Sequence, residues 1–249
     1  MVLVEVCVES AAGVGAAARA GAARAELCAA LVEGGLTPSH GALVRAREVR
    51  GIELVALIRP RGGDFVYGDE ELAVLEADVE AAVALGLDGV ALGCLTPAGT
   101  VDEERTGRLV ERARPLAVTF HRAFDHARDP MEALDALTRL GVKRVLSSGH
   151  AATAAEGRAC LAELVRRTRG AGRGPIVVAA GGIRPENAHA LVRETGVEEV
   201  HCALSRRTES AAGFRNVRAR LAATSRVPED FAHWETDEDL VRALLDALP

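Results

Sequence analysis

Glutamate and cysteine recur two residues apart near the start of the chain, as Glu5-Val6-Cys7 in VEVCVES and as Glu26-Leu27-Cys28 in AELCAALVEGG. A thiolate is a soft donor for a metal ion, whereas a carboxylate is a hard oxygen donor or a carrier of protons. Gathered on one surface, two of each could hold an ion or exchange a proton with a ligand. The same thiols also suit a plain packing role, because cysteine behaves as a small buried apolar residue. Further on, His121 and Asp125 in TFHRAFDHARDP form a candidate acid–base set, with Asp125 orienting His121 or acting beside it. Ser148-Gly149 and Gly181-Gly182 offer backbone N–H groups of the kind that hold phosphate or another anion, and Arg59 and Arg61 in RPRGGD add positive charge. Each has a plainer reading: the glycines serve tight turns, Asp125 pairs with Arg122, and Arg61 is a solvated loop residue.

The elements that must position these residues repeat one grammar. Short apolar or β-branched runs occur near 2–8, 24–28, 53–59, 88–93, 116–121, 143–147, 175–180 and 199–203. Between them lie Ala- and Leu-rich segments of helical spacing near 10–21, 38–50, 69–86, 102–113, 130–140, 153–169 and 185–195. Ser10, Asp69, Asp129-Pro130 and Pro185 mark helix starts, while Gly21, Gly86, Gly141 and Gly196 sit just past helix ends. Strict alternation of strand and helix predicts a parallel sheet, and eight repeats of about 30 residues predict a closed (β/α)8 TIM barrel. An open doubly wound sheet is the rival, but GxGxxG does not follow the first strand and no P-loop occurs. We expect one domain over 1–249, with a barrel core at 1–204 and a tail at 205–249. That tail holds Pro228, Trp234 and a last helix near 237–248, and is expected to act as a lid, a cap or an oligomer contact.

Composition narrows the function classes. Half the 249 residues are apolar but only 3% are aromatic, so the core must be built from Ala, Val, Leu and Ile. A net charge of −6 offers no broad basic surface, which argues against a nucleic-acid partner. No apolar run approaches a membrane span, so no membrane partner is expected either. The five cysteines are odd in number and contain no CxxC pair, which predicts reduced thiols and a cytoplasmic protein.

Within such a barrel, side chains two apart on a strand share a face. Glu5 then lies with Cys7 and Glu26 with Cys28 inside the barrel, with Val6 and Leu27 toward the helices. The same parity places Arg59, Thr119, His121, Ser147 and His201 inward. The two carboxylates are expected to pair with Arg59, or with His121 or His201, because an unpaired buried charge is costly. Cys94 is a lesser third thiol, and Cys160 and Cys202 read as core residues.

The segments EVCVES, ELCAALVEGGLTPS, ALIRPRGGDFVYGDEEL, GVALGCLTPAGTVD, TFHRAFDHARDP, RVLSSGH and AAGGIRPENA resemble, in order and spacing, the CutC family, named as copper homeostasis proteins. The resemblance covers about residues 2–204. It implies a cytoplasmic barrel, usually oligomeric, with a Cu(I) site at strand-end cysteines; the matching thiols are Cys7 and Cys28. A dimer is the expected assembly. Glu5, Glu26, Arg59, His121 and Asp125 match the family's other mouth residues, and Ser148-Gly149-His150 departs from its usual glycine run. Three functions stay open: Cu(I) binding in copper handling; an enzyme acting on a small anionic or phosphorylated metabolite through His121, Asp125, Arg59, Glu5 and Glu26; and a noncatalytic assembly protein.

Overall fold

The computed structural model describes residues 2–172, 174–216, 218–219 and 231–249, so Pro228 lies outside the described residues. Eight parallel strands follow one another around a closed barrel: β1 (Leu3–Val8), β2 (Arg24–Leu27), β3 (Glu53–Leu57), β4 (Gly89–Leu92), β5 (Ala117–Phe120), β6 (Arg144–Ser147), β7 (Ile176–Ala180) and β8 (Glu199–Cys202), with β8 paired back to β1. Helices α1 (Ala11–Ala20), α2 (His40–Arg47), α3 (Asp69–Ala84), α4 (Glu103–Arg112), α5 (Pro130–Arg139), α6 (Arg158–Ala171) and α7 (Pro185–Thr195) make the seven crossovers. The expected TIM barrel is the observed fold.

The punctuation read in the sequence acts as caps. Ser10 Oγ accepts from Gly13 N at 3.0 Å, and Asp129 Oδ1 accepts from Met131 N and Glu132 N ahead of Pro130 at the first helical position. Gly21 ends α1 at φ 97°, a left-handed backbone that a side chain would resist.

Apolar residues on the outward parity of the strands (Val6, Leu27, Leu54, Val90, Phe120 and Val145 on β1 to β6) pack against the helices in the main core. Burying each leucine there contributes about 1.5–3 kcal/mol. Inside the barrel the apolar residues form two small patches, Cys7, Cys28, Val55, Leu57 and Ala91 in one and Leu146, Val178 and Ala180 in the other. Polar side chains occupy much of the remaining interior: Glu5, Arg24, Glu26, Thr119 and Glu199 are all buried. An interior filled with branched aliphatics is the usual stabilising arrangement. The charged side chains here therefore call for another explanation.

Two expectations are corrected. The helix read from 153 starts only at Arg158, because the backbone at Gly149 crosses that at Gly157; a Cβ on Gly149 would come within 2.1 Å of the Gly157 carbonyl oxygen. Ser147, expected inward, shares the parity of Val145 in the outer core, while Leu146 takes the inner face. The tail contains an antiparallel hairpin, β9 (Ser205–Glu209) and β10 (Ala232–Thr236), then α8 (Glu238–Ala247). Helix α8 packs against both α7 and α1, with Val241 and Leu244 fully buried, and so completes the outer ring as its eighth helix. Among the described residues no helix is long and apolar enough to cross a membrane.

Candidate metal centre at the barrel mouth

Register between β1 and its two neighbours builds the site. Cys7 stands beside Glu26 on β2, and Glu5 beside His201 on β8. Cys28 follows β2 directly, its N–H donating to the Val8 carbonyl at 2.9 Å, and its sulfur lies 3.4 Å from that of Cys7. A second set overlaps the first: the ligand atoms of Cys7, Glu26 and His201 all fall within 4.8 Å of one another. Cys7 is common to both. The thiols thus lie together inside the barrel, as the spacing implied.

Beneath them runs a buried ion network. Arg24 Nε donates to Glu5, and its Nη2 donates to Glu199 Oε2 at 2.5 Å. Arg144 Nε donates to the same oxygen at 2.8 Å, and the His201 Nδ1–H donates to Glu5 Oε1 at 2.6 Å. Burial alone would raise the Glu5 carboxyl, but the His201 hydrogen bond and the Arg24 charge hold it down at about 2. Glu26 has no such support: desolvation and the nearby Glu5 charge push it to about 7, against the pull of His201. Burial acts to lower His201, yet the charges of Glu26 and Glu5 and the Glu5 hydrogen bond leave it raised. The Cys7 thiol is pushed well above 9 by its hydrogen bond with Cys28, by burial and by the Glu26 charge. The cluster thus sets a protonated thiol beside a carboxyl raised to about 7 and an imidazole raised above its ordinary value.

Arg59 does not serve the carboxylates. Its guanidinium donates to the carbonyls of Glu33 (2.8 Å), Gly35 (3.1 Å) and Gly63 (2.8 Å), tying the loops after β2 and β3, while Arg24 does the pairing expected of it. His121 turns Nδ1 back to accept from Ala123 N at 3.2 Å, and burial together with the Arg59 charge lowers it to about 3. Asp125 belongs to another cluster. Its carboxylate accepts from Ser147 Oγ (2.7 Å), Ser148 N (3.0 Å), His150 N (3.3 Å) and Arg122 Nε (2.8 Å), which fixes the loop after β6. The Arg122 guanidinium reaches Ser148 Oγ at 2.8 Å and stands beside Gly181, where a Cβ would meet Cζ at 3.5 Å. Ser148 and Gly181 of the candidate anion loops are therefore brought together around a cation, with Gly182 next in the chain at φ 72°. Gly149 serves the close crossing with Gly157.

Phe65 and Tyr67, in the loop after β3, are buried against His121 and Arg61. Cys94 and Cys202 are buried with thiols raised to about 12 chiefly by desolvation, consistent with core roles. Cys7 lines a cleft of about 1310 Å³ that opens between α1, Val32, Arg184 and the β9–β10 hairpin, with Trp234 half exposed on its wall. Sequence reasoning missed Arg24, Arg144 and Glu199. Arg24 lies two before Glu26 and Glu199 two before His201, so the same period of two places both on the inner face without showing that they pair.

The CutC family profile matches residues 2–206. A family protein CutC of Chromobacterium violaceum is 46% identical over 246 residues, spanning 99% of this chain and 98% of its own length. The copper homeostasis protein cutC homolog of Homo sapiens is 40% identical over 242 residues, spanning 97% of this chain and 87% of its own. Among solved structures, CutC of Streptococcus agalactiae superposes with a TM-score of 0.76 at 34% identity, covering 81% of this chain and 98% of that one. Phosphoribosylanthranilate isomerase of Thermotoga maritima, at 14% identity and a TM-score of 0.57 over 99% of this chain and 98% of its own, shares the fold.

Proposed function

We propose, from the premise that the chain belongs to the CutC family, that it binds Cu(I) at the β1–β2 rim of the barrel mouth as part of copper handling. The observation that carries this reading is the 3.4 Å approach of the Cys7 and Cys28 sulfurs on adjacent strands. Soft thiolates suit Cu(I), and no CxxC loop is needed when a sheet register supplies the proximity. Two sulfurs each about 2.3 Å from one ion lie about 3.8 Å apart at a tetrahedral angle and about 4.6 Å apart across a linear one. The pair must open only slightly for a bent site and by roughly an ångström for a linear one. A bent site needs a third donor, and His201 supplies it from the set that shares Cys7. The hard Glu26 carboxylate is a poor Cu(I) ligand and instead takes up a proton released by the thiols. Copper reaches Cys7 through the adjoining cleft. A cytoplasmic location, where thiols stay reduced, and a homodimer belong to the same proposal.

The deciding experiment is anaerobic competition for Cu(I) between the reduced protein and a chromogenic chelator. Wild type should win copper from the chelator, and the double variant Cys7→Ser, Cys28→Ser should not. Equal retention by both proteins would end the proposal.

A second reading, an enzyme acting on a small anionic metabolite, draws on the Arg122 guanidinium held beside Ser148 and Gly181. In that reading proton transfer falls to Glu26 and His201, because Asp125 is engaged by the β6 loop. An ordered anion on Gly182 in crystals, with turnover lost in Glu26→Gln, would favour it over the copper reading.

A further inference from the structure

We infer that the mouth of the barrel also holds a small oxyanion, a carboxylate or a phosphate, on the side between β3 and β5, through Arg59 and His121. The inference needs neither the thiol site nor the Arg122 site proposed above, and it keeps from the sequence-based enzyme reading only Arg59 and His121, with no reaction assigned to them.

Arg59 is only 5% exposed, yet among the described residues no carboxylate lies within ion-pair distance of its guanidinium. Arg24, the other buried arginine among the described residues, and the partly buried Arg144 both have acids against them. The three carbonyls that Arg59 engages satisfy hydrogen bonds but carry no net charge to offset the cation. Its Nε is buried and has no partner.

His121 presents the same deficit. Because Nδ1 accepts from Ala123 N, the ring hydrogen sits on Nε2, and that atom is buried without an acceptor. Burial and the Arg59 charge keep the ring neutral, so it offers one donor and no charge of its own. The Tyr67 hydroxyl, on a residue 5% exposed, faces the same guanidinium, whose charge and hydrogen bond act on it. Buried polar groups in folded proteins are overwhelmingly paired, and two unpaired donors, Arg59 Nε and His121 Nε2, on side chains against one Phe65 ring need an explanation.

Phe65 brings the two principal donors together. The Arg59 guanidinium carbon lies 4.8 Å from its ring centroid, and the His121 ring centroid lies 5.0 Å from it. Arg59 Nε and His121 Nε2 can only donate, and the Tyr67 hydroxyl can donate as well. A metal ion would find no ligand in this set. What the set lacks is an acceptor with negative charge, and burial limits that acceptor to a small one. Gly93 on the neighbouring stave makes the arrangement possible: a Cβ there would come within 2.9 Å of the His121 ring.

The test uses the metal-free full chain and calorimetric titration with inorganic phosphate and, separately, acetate, at ionic strength held constant with chloride. Saturable binding of at least one anion is expected, weakened about tenfold or more in His121→Phe, which keeps an aromatic ring against Phe65 but removes the donor. Binding of phosphate alone would identify a phosphoryl ligand, and of acetate alone a carboxylate. Arg59→Met should abolish binding; if that variant does not fold, the His121→Phe comparison still decides. No saturable binding of either anion, or affinity unchanged in folded His121→Phe, would overturn the inference.

Discussion

The Cys7 sulfur lies 3.4 Å from that of Cys28 on the adjoining strand and also belongs to the separate cluster with Glu26 and His201. Packing and ligation therefore weigh differently on the two thiols. Both thiols belong to the patch with Val55, Leu57 and Ala91, but Cys28 is the more deeply buried, at 1% against 6% exposed, and the hydroxyl of Cys28→Ser would be desolvated there at a cost of about 1–3 kcal/mol. A serine at position 7 would face Glu26 and the cleft, and should cost less. For Cu(I) the order should reverse, with Cys7→Ser losing more affinity because it removes the shared donor. Urea midpoints and chelator competition on the two single variants check this; the same ranking in both assays would contradict the assignment.

Copper uptake should be proton-linked. The Cys7 thiol is held well above 9 by Cys28, burial and Glu26, and His201 is also raised, so a metal must displace protons from both to bind them. Apparent Cu(I) affinity should then rise by more than tenfold per pH unit around neutrality. Chelator competition at several pH values measures the slope. A pH-independent affinity would mean that the sulfurs are not the ligands.

Arg24 should be among the residues the fold tolerates losing least. It neutralises Glu5 and Glu199 together, in a position 1% exposed. Arg24→Met leaves two buried carboxylates with reduced compensation, and a loss of about 3–5 kcal/mol is expected. Thermal unfolding reads it out. The triple variant Arg24→Met, Glu5→Gln, Glu199→Gln should recover part of the loss, because the repulsion is removed with the charge.

How far this site could be read without coordinates depends on the range of the forces involved. Glu5 with Cys7 and Glu26 with Cys28 were legible because the two-residue period of a strand is local and rigid. Arg24 and Glu199 obey the same period, but charges at the edge of an apolar run suit solvent equally well, so parity alone did not mark them as partners. The direction taken by Arg59 was not legible: it is decided by carbonyls of Glu33, Gly35 and Gly63 in two loops whose conformations no local pattern specifies. Ser147 was misplaced by one position, and one position is a whole face. The late start of α6 was hidden for a similar reason, since the crossing of Gly149 and Gly157 is a backbone contact between points eight residues apart.

Acid stability should carry the signature of His121. Its folded pKa is depressed to about 3 from 6.5, by burial first and by Arg59 second, so the unfolded chain takes up the proton first as pH falls. Stability from the neutral ring is fully present above about pH 6.5 and is lost toward pH 3, by a few kcal/mol at most. Glu26 acts in the opposite sense. Raised from 4.5 to about 7, it favours the folded state at low pH and loses that advantage as pH climbs through this window. His121→Phe should therefore flatten the acid limb of a stability–pH curve, and Glu26→Gln should steepen it. Parallel curves for wild type and His121→Phe between pH 4 and 7 would show that the ring takes up its proton in the folded state as it does in the unfolded chain, contrary to the burial argument.

Gly93→Ala isolates the packing that holds that ring. The added Cβ would lie 2.9 Å from both His121 Nδ1 and Cε1, and 3.1 Å from Phe120 Cε2. Neither neighbour can retreat cheaply: Phe120 is fully buried, and His121 is braced by Phe65 and by its bond from Ala123 N. Overpacking of this kind costs about 1–3 kcal/mol. The larger part of the strain should vanish when the ring is removed, leaving the 3.1 Å contact with Phe120, so in the background of His121→Ala the same substitution should cost clearly less. A double-mutant cycle by chemical denaturation gives the coupling directly, and additive effects would mean that the ring does not occupy the space that Gly93 leaves open.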